Sequence, residues 1–149
     1  MLPARVTQAI VRGLDRLSSL LLPPENIPEH QRVGRQGEEY AYFHLRKNGY
    51  VMVARNFRSP RRRGEIDLIG WHKDVLCFIE VKTRTTHDVK PAEAAVDADK
   101  QRELVGMARE YLRHMPRSCQ WRFDVVSVYY ERHSSQPQVE LFQNAFQVS

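Results

Sequence analysis

Apolar and polar positions follow two different periods along this chain. Residues 4 to 21 place Val6, Ile10, Leu14, Leu17 and Leu21 on one stripe, a spacing that predicts an amphipathic helix. The stretch PPENIPEH ends that helix with three prolines between positions 23 and 28, none of which can donate to a helical ladder. Residues 1–30 are therefore expected to form an N-terminal amphipathic helix and Pro-rich linker, with residues 31–149 as the main domain. There, Gly34, Glu38, Ala41 and Leu45 share helical spacing. They predict a first core helix facing inward along that stripe, with Gly49 as its cap.

The pattern then changes to strands. YVMVARNF reads as a strand, RSPRRRG as a loop, and residues 65–71 and 75–83 as a hairpin. A second core helix starts near Ala92 or after Asp97 and stops before Pro116. Its apolar face draws on Ala95, Val96, Leu104, Met107, Ala108, Tyr111 and Leu112. WRFDVVSVYYE predicts a further strand and QVELFQNAF a last one. The order, helix, three strands, helix and closing strands, predicts an α/β protein with a mixed sheet flanked by helices.

Charged residues inside the best strands are the anomaly. Side chains alternate along a strand, so Leu76, Phe78, Glu80 and Lys82 share one face, and Val75, Cys77, Ile79 and Val81 the other. Two mainly apolar faces mark a central strand covered on both sides. On the preceding strand Glu65, Asp67 and Ile69 share a face. With Lys73-Asp74 as a two-residue turn, His72 pairs with Val75, and Asp67 falls opposite Glu80 with Cβ atoms roughly 5 Å apart. Facing carboxylates repel, and a divalent cation between them removes the conflict. Oxygen donors without histidine or cysteine suit Mg²⁺ or Mn²⁺. Lys82 projects beside this point, where it could orient an attacking water or neutralise a phosphate oxygen. Glu38 could serve as a further ligand or as a water-bound acid. The bland alternative is a structural salt-bridge cluster with Lys82 paired to Glu80 or Asp67.

Composition narrows the classes. At 42% hydrophobic and 28% charged residues, the chain reads as globular rather than disordered. No apolar run reaches the ~20 residues of a membrane helix, so no membrane span is expected. Two cysteines, Cys77 and Cys119, show no disulfide framework and suggest a reduced, cytoplasmic setting. The net charge of +5 is concentrated. Arg46, Lys47, Arg55, Arg58, Arg61, Arg62 and Arg63 occur without an intervening acid, which predicts contact with a nucleic-acid backbone.

The segments GxxGE, ARNFR, GEIDLI, FIEVKTR, KQRELV and RFDVV resemble the YraN family, over about Val33 to Tyr130. That family is one of uncharacterised bacterial proteins with a restriction-endonuclease-like fold. It is similar to archaeal Holliday-junction resolvases within the PD-(D/E)xK nuclease superfamily, and the superfamily's Pro-Asp is Ile66-Asp67 here. The resemblance implies Asp67, Glu80 and Glu38 as metal ligands and Lys82 as the catalytic lysine. It matches Thr83 and Arg84 to the family's strand end, and Lys100 and Gln101 to its second helix. The implied function is Mg²⁺- or Mn²⁺-dependent hydrolysis of DNA phosphodiester bonds, on branched or damaged DNA in repair or recombination. Arg55, Arg58, Arg61, Arg62, Arg63 and Arg84 form the expected nucleic-acid-binding set, and a homodimer is expected as in resolvases. The alternatives are a non-catalytic nucleic-acid-binding module that keeps the nuclease fold, and a protein-interaction role centred on the 4–21 helix.

Overall fold

The computed structural model describes residues 28–84, 96–131 and 134–148, so the helix expected over 4–21 lies outside the described residues. From Val33 onward the chain forms one compact unit. The elements run α1 (Glu29–Lys47), β1 (Tyr50–Phe57), β2 (Ile66–His72), β3 (Val75–Arg84), α2 (Ala98–Leu112), β4 (Gln120–Tyr129) and β5 (Gln138–Phe146). The expected order holds, and QVELFQNAF is a full strand. The five strands lie in the order β1-β2-β3-β4-β5. β3 and β4 are parallel and every other neighbouring pair is antiparallel. A parallel pair needs a long crossover, and α2 lies within it. This is the restriction-endonuclease-like mixed sheet flanked by helices.

The hairpin register is the one the turn dictates. His72 pairs with Val75, and the ladder continues through Leu68 and Ile79. Lys73 takes a φ of 55°, the left-handed conformation a two-residue hairpin loop requires. Strand β3 is central and covered on both sides. Cys77, Ile79 and Val81 join Ala41, Tyr42 and Leu45 of α1 in one core. Leu76 and Phe78 join Leu104, Met107 and Ala108 of α2 in the other. Helix α2 starts at the later of the two expected points. The Asp97 side chain caps it by accepting from the Lys100 N–H at 2.8 Å.

Helix α1 departs from the expected stripe by a fraction of a turn. Its buried residues are Gly37, Ala41, Tyr42 and Leu45, whereas Gly34 meets nothing within 4 Å. A Cβ at Gly37 would stand 1.9 Å from the Thr83 hydroxyl. The helix thus touches the end of β3 through bare backbone, and Glu38 sits on the shoulder of the packed stripe, half-buried, instead of at its centre. The sequence pattern favoured Gly34 because it shares the period. Only the approach to Thr83 distinguishes the two glycines.

Candidate functional site

Strands β2 and β3 pair regularly up to Leu68 and Ile79. One residue further, the Asp67 Oδ2 accepts the Val81 N–H at 2.8 Å. A side chain therefore satisfies a main-chain donor just past the last paired residues, and its carboxylate is fixed by the backbone. Around it, one carboxylate oxygen each of Glu38, Glu65 and Asp67 lies within 4.8 Å of the others. Glu38 arrives from α1, Glu65 from the residue before β2, and Asp67 from β2 itself. Glu80, on β3, adds its charge to the group.

Electrostatics show how crowded the group is. Burial first, and then the charge of Glu80, push the Asp67 carboxyl up to about 8. The Val81 N–H opposes that shift. Glu38 is also raised, by burial and next by Glu65, with Arg55 pulling the other way. Such shifts are what close acids impose on one another in a poorly hydrated place. A proton relieves the repulsion, and so does a cation.

The cationic side of the site is built on Glu80. Its Oε1 lies 3.1 Å from the Lys82 Nζ and 3.9 Å from the Lys100 Nζ. Burial pulls the Lys100 ammonium down, but Glu80 and Glu103 outweigh it, and the net shift is upward. The Oε2 of Glu80 is buried without a hydrogen-bond partner, although the residue is only 6% exposed. A second buried acid, on the neighbouring strand β4 and level with Ile79, makes the contrast. Asp124 is fully buried, yet it accepts from the Tyr50 hydroxyl, the Arg122 guanidinium and the Asn144 N–H. This chain can satisfy a buried carboxylate completely, and at Glu80 it does not. Buried polar atoms without a hydrogen-bond partner are uncommon.

The donor set fits a hard divalent ion. Oxygens on one Mg²⁺ stand about 2.9 Å apart when adjacent and about 4.2 Å apart when opposite, so carboxylate oxygens within 4.8 Å of one another would have to draw closer to share one. Glu38, Glu65 and Asp67 supply those oxygens, and the charge of Glu80 acts on the same group.

Of the residues singled out in the sequence, Asp67, Glu80, Lys82 and Glu38 come together. Two neighbours join them that sequence reasoning missed as site groups. Glu65 was readable, since it precedes Asp67 by two and so shares its strand face. Lys100 sits in the first turn of α2, and its nearness to Glu80 depends on the crossover, which no local pattern specifies.

The arginines scatter in role. Arg58 donates to Glu65 through Nη2 at 2.6 Å and Nε at 2.7 Å. Arg55 lies over the Tyr42 ring at 4.7 Å, a cation–π contact. Arg62 folds back onto α2, where it would be 2.5 Å from a Cβ on Gly106, and it approaches Glu110 at 3.9 Å. Arg84 is partly buried, its Nε without a hydrogen-bond partner. Arg61 and Arg63 are exposed.

The model of UPF0102, described as an uncharacterised protein family, matches residues 37–128, from the Gly37 contact to the end of β4. A UPF0102 protein of Koribacter versatilis is 50% identical over 143 residues, 96% of each chain. Another, from Solibacter usitatus, is 39% identical over 92% of this chain and 97% of its own. A third, from Porphyromonas gingivalis, is 41% identical over 79% of this chain and 86% of its own.

Proposed function

The chain belongs to the UPF0102 family, and from that premise we propose that it is a metal-dependent nuclease hydrolysing DNA phosphodiester bonds. The observation that carries the reading is the convergence of Glu38, Glu65, Asp67 and Glu80 at the end of β3, with Lys82 beside Glu80. In this reading Glu38, Glu65, Asp67 and Glu80 hold Mg²⁺ or Mn²⁺. When bound, the ion supplies Lewis acidity at the phosphate and a more acidic water. Lys82 lies where its ammonium can steady a non-bridging phosphate oxygen or orient the water. The carboxylate of Glu38, half-buried on the shoulder of α1, would either help hold the ion or stand beside it as a proton acceptor. The exposed arginines of the 58–63 loop add attraction for the backbone.

The resemblance to the PD-(D/E)xK superfamily and to Holliday-junction resolvases supports the same chemistry. It favours branched or damaged DNA as substrate and a homodimer, while the two free cysteines favour a cytoplasmic setting. No helix among the described residues is long and apolar enough to cross a membrane.

One observation favours a second reading, a nucleic-acid-binding module without turnover. Lys82 and Lys100 face Glu80, and Arg58 holds Glu65, so part of the cluster is already neutralised. The test is cleavage of linear, nicked, flap and four-way DNA with Mg²⁺ or Mn²⁺, using Asp67→Ala and Lys82→Ala as controls for contaminating nuclease. Cleavage by the wild type that both substitutions abolish supports the nuclease. DNA binding that is steep in salt, indifferent to the metal and free of cleavage supports the binding module.

A further inference from the structure

A groove is joined to the carboxylates through Arg58. The end of β1 and the loop after it face the C-terminal end of α2 across a groove of about 360 Å³. Its walls include Phe57, Arg58, Arg61, Glu110, Arg113 and His114. Three arginines against one glutamate leave it positive at neutral pH. That glutamate is shared, since Glu110 lies 3.6 Å from Arg113 and 3.9 Å from Arg62. Arg61 and Arg113 are exposed at the rim.

We propose that this groove binds one nucleotide of a single-stranded segment of the substrate, next to the strand position that meets the carboxylates. The proposal deepens the nuclease reading and rests on it for the identity of the ligand as a nucleic-acid strand. Three observations support it. The volume is at the small end of ligand pockets; it suits a nucleotide and is far too small for a duplex. The walls pair guanidinium groups, which match a phosphate in geometry and charge, with the partly exposed ring of Phe57, on which a base can pack. The Phe57 ring is itself held edge-on by Tyr111, with centroids 5.3 Å apart, so it is a rigid platform. Lastly, Arg58 is common to both places. It lines the groove and contacts Glu65 at 2.6 Å, which puts the groove one side chain away from the acidic cluster. A base reaching the groove must be unpaired, so the substrate class is DNA with a single-stranded stretch beside the bond that is cut.

The test needs neither metal nor cleavage. Fluorescence anisotropy in EDTA compares one labelled oligonucleotide, single-stranded or annealed to its complement, on the full chain. The single strand is expected to bind more tightly at equal salt. Arg61→Gln with Arg113→Gln should weaken that binding and lower the salt slope by about 0.7 for each phosphate no longer neutralised. Phe57→Leu, with folding checked by circular dichroism, should remove about tenfold of single-strand affinity, the weight of one base–aromatic stack. Equal binding of both forms by the wild type would overturn the proposal. So would a double arginine variant that binds the single strand as the wild type does. A protein that binds single strands through this groove but cuts nothing would leave the groove standing and remove the nuclease reading. Metal-dependent cleavage with unaltered strand binding in the double variant would do the reverse.

Discussion

Arg58 holds Glu65 through both Nη2 and Nε, at 2.6 and 2.7 Å, and Glu65 is one of three acids whose oxygens fall within 4.8 Å of each other. A guanidinium in that position competes with any cation the acids could share. Because the Arg58 side chain is 76% exposed, the pair is worth little to stability, and its effect should appear in metal affinity instead.

Arg58→Gln should therefore bind Mn²⁺ more tightly than the wild type in the absence of nucleic acid. An increase of about fivefold, at the low end of ordinary site coupling, is expected. Calorimetric titration of both proteins measures it. A weaker or unchanged affinity would mean that Glu65 takes no part in holding the ion.

The Asp67 carboxyl gives the pH dependence a sign. In the folded protein it keeps its proton up to about 8, against an ordinary value of 3.8. Between those values the folded state holds the extra proton, so raising the pH favours the unfolded chain. Thermal melts in EDTA should show stability falling from pH 5 to pH 8. Asp67→Asn should flatten that fall, and Mn²⁺ should offset it by binding the ionised form. In parallel, Mn²⁺ affinity should rise with pH across this window, by about tenfold per unit for one displaced proton. Melts and affinities independent of pH would contradict the assignment.

Gly37 places Glu38. With a Cβ that would collide with the Thr83 hydroxyl, Gly37→Ala must displace either α1 or the Thr83 side chain. Overpacking of this kind costs about 1–3 kcal/mol, readable by denaturant titration, and where α1 moves the displaced Glu38 should lower metal affinity as well. Adding Thr83→Ala should recover part of both losses. Full stability in Gly37→Ala alone would show that α1 approaches β3 less closely than described.

These outcomes depend on features of very different legibility in the sequence. The Asp67–Glu80 neighbourhood could be read because a two-residue turn at Lys73-Asp74 sets the hairpin register, and a period of two then assigns faces. The central position of β3 was visible for a related reason, since both of its faces are apolar. What happens past the last paired residues was not visible. Asp67 spends one oxygen on the Val81 N–H, a consequence of where the two strands stop pairing. Helical period alone could not separate Gly34 from Gly37, because the choice lies in the distance to Thr83. The arginine run was legible as charge but not as function. Arg62 packs over Gly106 and Arg55 over Tyr42, and both fates are set by elements distant in the chain.

The most direct test of the shared-ion site is Mn²⁺ binding itself, titrated calorimetrically at neutral pH into wild-type protein and into Asp67→Ala. One ion bound by the wild type, with affinity reduced at least about tenfold in the folded variant, is the result this site requires. Identical titrations of the two folded proteins would contradict it.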